Sequence, residues 1–258
     1  MTQEILRTPT SDWGSSDNRE FALSTLTKVR LVHPNLQELV ERQTLPDWGR
    51  ELLRQALADG KNIIIGGRVC SGKTTLLGAL VRECPSLERM MLVDSDRELA
   101  PRFRNMPNVA SYREEVLSIS QLMRIFADNA PERLVVGEIR GAEAYDYMHA
   151  ITQARNAYNF RGMMFTMHTD AAREIMKDFM HCVDERQAKP LGSLLRNQLM
   201  GTIDLMIYVR KYPSYDGYGK YVVDRIVAVG GEAAGNPEYK TLLRYNHGQQ
   251  RFELGDAS

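Results

Sequence analysis

This 258-residue chain has few cysteines and no long apolar run. Its three cysteines, Cys70, Cys84 and Cys182, lie far apart without C-x-x-C spacing, which argues against a zinc site or a disulfide framework. A reducing, cytosolic compartment fits that usage. No segment approaches the ~20 apolar residues that a membrane span needs. The first residues also lack the basic start and apolar core of a signal peptide, so we expect membrane association only through a partner or a surface.

The chain also has no excess of positive or of negative charge. The chain carries 33 basic and 33 acidic residues and a formal net charge of zero, so no overall field draws it onto nucleic acid or an anionic membrane. Clusters of aromatic and basic residues are also few, so no clear nucleic-acid site is expected and helicase activity is a weaker alternative. The length predicts one large domain or one domain with an appendage.

A phosphate-binding motif is the strongest positive signal. Residues 67–74 read GRVCSGKT, a complete G-x-x-x-x-G-K-T motif between an apolar run at 63–65 and a helical pattern at 75–80. In the order strand, glycine loop, helix, backbone N–H groups and the helix dipole bind phosphate. Lys73 is expected to neutralise the β- and γ-phosphates, and Thr74 to hold Mg²⁺. The predicted nucleotide-binding residues of this segment are Gly67, Ser71, Gly72, Lys73, Thr74 and Thr75.

Three further apolar runs each end in a polar residue. They are residues 90–93 followed by Asp94, residues 134–136 followed by Gly137 and Glu138, and residues 162–167 followed by His168. Runs of this kind are typical of buried parallel strands, whose carboxyl ends meet at the ligand-binding edge of a sheet. We therefore expect these side chains beside the phosphate loop, in an α/β fold.

Each of these residues has an alternative interpretation. Glu138 is the best-placed carboxylate to orient or deprotonate an attacking water and to share the metal with Thr74, but acidic residues also favour helix starts. Arg140 could pair with Glu138 or reach a phosphate. The cluster of Asp94, Asp96 and Glu98 could be a functional site or a solvated charged turn around Arg97.

The motifs in this order resemble the traffic ATPases of bacterial type II and type IV secretion, conjugation and type IV pili. The resemblance rests on residues 66–75, on DSDREL at 94–99, on VGEIRG at 136–141 and on TMHT at 166–169. It runs from about Arg19 to Val229 and is nearest to the conjugative and tight-adherence members.

The resemblance implies a RecA-like P-loop core with a mostly parallel sheet. It also implies a homohexamer that binds ATP and Mg²⁺ between subunits and between an amino-terminal domain and the core. Inner-membrane components of a secretion or pilus complex would be its partners, and its location would be cytoplasmic and peripheral to the inner membrane. By position it implies that Glu138 is the Walker B acid, that Asp94 and Glu98 are Asp-box acids, and that His168 is the second His-box histidine. Arg113 and the glutamate after it resemble the Arg-Glu that precedes the Walker B segment in pilus motors, and we place Arg113 and Arg140 with the nucleotide ligands.

The chain also departs from the family pattern. Residues 158–162 read YNFRG where the family usually has Thr-Gly-His-x-Gly, so one of the two His-box histidines is missing. The segment before Glu138 carries Asp128 where the family has a basic side chain, and Ser95 replaces the second Asp-box acid. These changes bear on turnover and ring stability more than on nucleotide binding.

The expected domain organisation has three parts. Residues 1–18 form a polar, flexible tail, residues 19–60 form a truncated amino-terminal α+β segment with a linker helix, and residues 61–258 form the ATPase domain. Within residues 19–60, Asn35 is expected to cap one helix and Pro46 to open another that Gly60 ends. The last domain ends in a β-hairpin made from residues 205–210 and 221–229.

These features predict an ATP-hydrolysing, ring-forming motor that powers a type IV secretion, conjugation or pilus-like machine. The main alternative is a nucleotide-gated scaffold of the same machine with little or no hydrolysis, because the His box is eroded. A small-molecule kinase is less favoured, since no arginine-rich lid is evident. A GTPase is also less favoured, since no Asn-Lys-x-Asp string occurs.

Overall fold

The computed structural model of the chain describes residues 34–155, 159–185, 192–213, 219–233 and 236–255. The predicted tail at residues 1–18 and the short strands expected between residues 21 and 32 lie outside these residues. The domain boundaries drawn from the sequence therefore stay predictions.

A single nine-stranded sheet organises the described part of the chain, in the order β3-β2-β4-β5-β1-β6-β7-β8-β9. Its first six strands are parallel. Their bounds are β1 Ile63–Gly67, β2 Met90–Val93, β3 Val109–Tyr112, β4 Arg133–Ile139, β5 Met163–His168 and β6 Leu205–Tyr212. The apolar runs predicted as buried strands are confirmed, whereas the short edge strand β3 was not predicted, because two of its four residues are exposed and give no apolar run.

The last strands of the sheet are antiparallel. They are β7 Lys220–Ala233, β8 Asn236–Asn246 and β9 Arg251–Leu254. The predicted hairpin is confirmed as β6 and β7, but it is only half of this extension, since β8 and β9 continue the sheet. The alternation of polar and apolar residues after residue 236 is weak, so the sequence did not reveal these two strands.

Helices cover both faces of the sheet. They are α1 Leu36–Glu41, α2 Asp47–Ala58, α3 Lys73–Glu83, α4 Ile119–Asn129, α5 Glu143–Ala154, α6 Ile175–Glu185 and α7 Ser193–Met200, with two short 3₁₀ helices at Ala100–Phe103 and Ala172–Glu174. The predicted start of α1 is confirmed, because the side chain of Asn35 accepts from the Glu38 N–H in a capping box. Two apolar cores result, one on each face of the sheet, and α1, α2 and α3 pack into the first of them.

Among the described helices, none combines the length and the apolar composition that crossing a bilayer requires. The buried residues of α2 are Gly49, Leu53, Ala56 and Leu57, whose spacing places them on one face of the helix. This packing fixes the chain immediately before β1, the strand that leads into the phosphate loop.

Candidate functional site: a phosphate loop facing an acidic strand end

The phosphate loop connects β1 to α3 as the sequence predicts. Gly72 stands at the start of α3 with φ 99°, a left-handed conformation that glycine adopts without a steric penalty. Lys73 follows as the first helical residue and is 7% exposed. Its Nζ donates to the carbonyl oxygens of Gly67 at 2.9 Å and of Arg68 at 3.0 Å. The loop therefore folds around a buried ammonium group.

The electrostatics of Lys73 connect the loop with the acidic strand end. Burial lowers the pKa of Lys73 below its ordinary value, and the carboxylate of Glu138 gives the largest opposing effect. Glu98 opposes the lowering as well, by a smaller amount. The charges of Glu138 and Glu98 therefore act on Lys73, which connects the acidic strand end with the phosphate loop.

The loop has the features of an anion cradle. A Cβ built at Gly67 would lie 2.5 Å from the Oγ of Ser71 and 2.5 Å from the carbonyl oxygen of Val209, so backbone and side chain close tightly around this position. The Oγ of Ser71 is buried and has no hydrogen-bond partner among the described residues. A hydroxyl donor left unpaired in a glycine loop, beside a buried lysine, suits a phosphate oxygen, and the residues present therefore fit a bound triphosphate.

The sheet brings the predicted residues to the same edge. Strand β5 lies between β1 and β4, and its last residue, His168, pairs in register with Gly67. Glu138 lies near the end of β4, where the pairing with β5 shifts between Val136 and Ile139. The ends of β4 and β5 therefore lie at the same edge of the sheet as the phosphate loop, while the roles predicted for Glu138 and His168 stay predictions.

Arg140 holds the carboxylate of Glu138. Its Nε donates to Glu138 Oε2 at 2.7 Å, and its Nη2 lies 2.6 Å from the same oxygen. The Nη2 also pairs with Asp96. The hydrogen bond with Glu138 raises the pKa of Arg140 above its ordinary value; burial opposes this effect, and the charges of the surrounding carboxylates add to it. Of the two interpretations of Arg140, the structure shows the ion pair, and its predicted phosphate contact would require release from Glu138.

The acidic cluster is divided between separate partners. Asp94 is 1% exposed, and its Oδ2 accepts from the N–H groups of Leu99 at 3.0 Å and Ala100 at 2.7 Å, which fixes the entry into the 3₁₀ helix. Asp96 is paired with Arg140. Within the described ranges, no group of three or more acidic, cysteine or histidine side chains is arranged to hold a metal. The catalytic roles of Asp94 and Glu98 stay predictions.

The remaining predicted residues lie in three places. Thr74 and Thr75 lie half-buried in the first turn of α3. His168 is exposed at the end of β5. Arg113 lies just after the edge strand β3, in a groove with Arg97 and Arg104. A nucleotide contact by Arg113 stays a prediction.

Two residues without an assigned role in the sequence bond the backbone of the site. Thr166 is buried in β5, and its Oγ1 donates to the carbonyl oxygen of Gly137 at 2.6 Å. Arg102 donates through Nη1 to the carbonyl oxygen of Thr74 at 3.3 Å. A polar residue inside an apolar strand is a signal that could have revealed Thr166. Nothing in the local pattern distinguishes Arg102 from other surface arginines.

These features define a RecA-like P-loop protein, with a phosphate loop after β1 and an acidic residue at the end of a strand separated from it by one other strand. The likeness to solved structures agrees with that fold. The VirB11 ATPase from the Brucella suis type IV secretion system, solved in complex with sulphate, superposes with a TM-score of 0.59 at 24% identity, covering 86% of this chain and 65% of that one. DotB, an ATPase of Legionella pneumophila, gives a TM-score of 0.56 at 23% identity, covering 73% and 49%.

The chain belongs to the Type II/IV secretion system protein family, whose model matches residues 21–205. Type IV secretion system protein PtlH of Bordetella pertussis is 29% identical over 221 residues, which make up 80% of this chain and 63% of PtlH. VirB11 of Brucella suis is 25% identical over 226 residues, or 84% of this chain and 58% of VirB11. The chain therefore spans about three fifths of the length of these relatives.

Proposed function

We propose that this chain is the ATP-hydrolysing subunit of a ring-forming motor that powers a type IV secretion or conjugation machine. The observation that carries the proposal is the placement of Lys73 and Glu138 at one edge of the sheet, close enough for the carboxylate to raise the pKa of the lysine against the effect of burial. Family membership, and relatives that are type IV secretion proteins, support the secretion setting.

The division of labour among the side chains follows from their positions. Lys73 and the N–H groups at the start of α3 would bind the phosphates, with Ser71 as a further donor. Thr74 and Glu138 would hold Mg²⁺, which neutralises charge developing on the transferred phosphoryl group. Glu138 would also orient the attacking water, and for this its carboxylate must turn from Arg140 towards the phosphate. His168, opposite Gly67, would face the same phosphate.

Hydrolysis would be coupled to movement through assembly. In the proposed homohexamer each nucleotide would lie between neighbouring subunits, and cleavage would change how they close on one another. Inner-membrane components of the machine would contact the faces of the ring. The native mass with and without Mg·ATP tests this part, because a stable monomer under both conditions contradicts a ring.

Steady-state ATPase measurements test the chemistry. We expect Lys73→Ala to lose nucleotide binding, and Glu138→Gln to bind ATP normally while hydrolysis falls by at least about a hundredfold, as for loss of a general base. Arg124→Ala, on the exposed side of α4, is a matched control that should change neither quantity. If the wild type hydrolyses ATP at a substantial rate and Glu138→Gln does so equally fast, Glu138 has no part in the reaction.

A nucleotide-gated scaffold is the second candidate, and one observation favours it. The bonds from Arg140 hold the Glu138 carboxylate in an ion pair, and the missing His-box histidine removes a second polar group from the site. Tight ATP binding, with equally low hydrolysis by the wild type and by Glu138→Gln, would support the scaffold over the motor.

A further inference from the structure

A groove rich in arginine runs along the free edge of the sheet, away from the phosphate loop. It lies between β3 and the 3₁₀ helix Ala100–Phe103 and has a volume of about 500 Å³. We call it the arginine groove. Its polar lining is Arg97, Arg104, Arg113 and Ser111, and its apolar lining includes Phe103 and Val109.

The charge in the arginine groove is only partly compensated. Arg97 pairs with Glu115 at 3.2 Å in an exposed ion pair. Arg104 and Arg113 form no ion pair with any residue of the described ranges. Guanidinium groups bind carboxylates through paired, charge-assisted hydrogen bonds, so two unpaired guanidinium groups in one groove favour an occupant that carries carboxylates.

The backbone beside the groove belongs to an edge strand. Among the described residues, strand β3 pairs with β2 alone. The carbonyl oxygen of Asn108 accepts from the N–H of Met90 in β2, and that of Tyr112 accepts from Asp94 just after β2. By the alternation of a strand, the N–H and C=O groups of Ser111 therefore point to the open side. Val109, Ser111 and Arg113 alternate along the strand and share the groove face. An added strand could bond this edge and direct every second side chain into the groove.

We propose that the arginine groove binds an extended acidic peptide segment of a partner protein, which adds to β3 as a further strand. Its carboxylates, at the alternate positions that face the groove, contact Arg104 and Arg113, and the apolar stems of these acidic side chains pack on Pro101 and Val109. A nucleic acid would satisfy the guanidinium groups but not the free backbone edge, which is why the two features together indicate a peptide. This proposal does not rest on the proposed motor activity, and it assigns Arg113 to the peptide in place of the nucleotide contact that the sequence predicts.

The test is fluorescence anisotropy with the full chain and a short labelled peptide in which glutamate alternates with threonine. We expect the double variant Arg104→Glu/Arg113→Glu to bind this peptide at least about tenfold more weakly than the wild type, as loss of charge-assisted bonds predicts. The control Arg124→Glu, an equal charge change on the exposed side of α4, should bind like the wild type. Circular dichroism of each variant checks that it is folded.

Two further probes separate the proposed occupant from others. The same peptide with N-methylated backbone amides keeps its carboxylates but cannot pair as a strand, so it should bind at least about tenfold more weakly. A short single-stranded oligonucleotide should not displace the peptide. Equal peptide binding by the wild type and the double variant, no effect of N-methylation, or displacement by the oligonucleotide would each overturn the proposal.

Discussion

The hydroxyl of Thr166 donates a hydrogen bond of 2.6 Å to the carbonyl oxygen of Gly137, the residue immediately before Glu138. The bond crosses from β5 to β4 at the place where their register shifts. The backbone next to Glu138 is therefore held by a side chain of the neighbouring strand. Removing the hydroxyl would leave the Gly137 carbonyl without this partner, at a cost of about 1–3 kcal/mol.

We expect Thr166→Val, which keeps the volume but not the hydroxyl, to lower kcat about tenfold with little change in KM, because Glu138 acts on the reacting water rather than on nucleotide binding. Thr166→Ser should restore most of the rate. Thr152→Val, which removes a hydroxyl bonded to the Met148 carbonyl on α5, is the control and should leave kcat unchanged. A rise in KM alone would show that Thr166 serves binding instead.

A second prediction concerns the tight closure of the loop at Gly67. In Gly67→Ala the new Cβ would meet the Ser71 Oγ and the Val209 carbonyl oxygen at 2.5 Å, so the loop would have to move. Overpacking of this kind costs about 1–3 kcal/mol or more. Isothermal titration with ATP should show at least about tenfold weaker binding. Gly230→Ala adds its Cβ where no atom lies within 4 Å and should bind normally. Normal binding by both variants would mean that the loop relaxes freely.

The third prediction concerns a buried ion pair at the opposite end of the parallel strands. Arg133 is fully buried, its Nε donates to Glu88 Oε2 at 2.9 Å, and its Nη2 donates to the Leu57 carbonyl at 3.0 Å. Removing one partner leaves an uncompensated charge, so Glu88→Gln should lower the free energy of unfolding by about 3–5 kcal/mol in urea denaturation.

The double variant Glu88→Met/Arg133→Met removes both charges of that pair and should recover much of the lost free energy of unfolding, since apolar replacements of buried pairs are often close to neutral. The quantity to measure is the coupling energy of the double-mutant cycle that this double variant forms with the single variants Glu88→Met and Arg133→Met. Additive losses in the double variant would show that the two side chains stabilise the fold independently.

The fourth prediction uses the cysteines as reporters of the loop. Cys70 is exposed. Burial raises the pKa of Cys84 to about 11. Burial, and to a lesser extent the charge of Glu185, raises the pKa of Cys182 to about 11. Because the thiolate is the nucleophile, maleimide at pH 8 should modify Cys70 first. ATP should slow this modification, as measured by mass spectrometry of the peptides. If ATP also slowed the modification of Cys70 in Lys73→Ala, the protection would not come from nucleotide bound at the phosphate loop.

The local features of the fold were predictable because the residues that specify them are neighbours in the chain. The segment from Ile63 through Gly67 and Lys73 to Leu80 carries a strand, a glycine loop and a helix in one continuous stretch, and Asn35 with Glu38 specifies the start of α1. The buried parallel strands were visible as apolar runs. Strands β3, β8 and β9 were not, because exposed or edge strands lack such runs.

The sequence alone determined that this chain carries a phosphate loop with an acidic strand end in the family's order, since these motifs are contiguous. The tertiary structure alone decided which hydrogen bonds and ion pairs hold these motifs in place. It paired Arg140 with Glu138 and Asp96, connected Thr166 to Gly137 and Arg102 to Thr74, and left Arg104 and Arg113 facing an open strand edge. Most of these contacts join residues distant in the chain, and only packing of the whole sheet brings such residues within bonding distance.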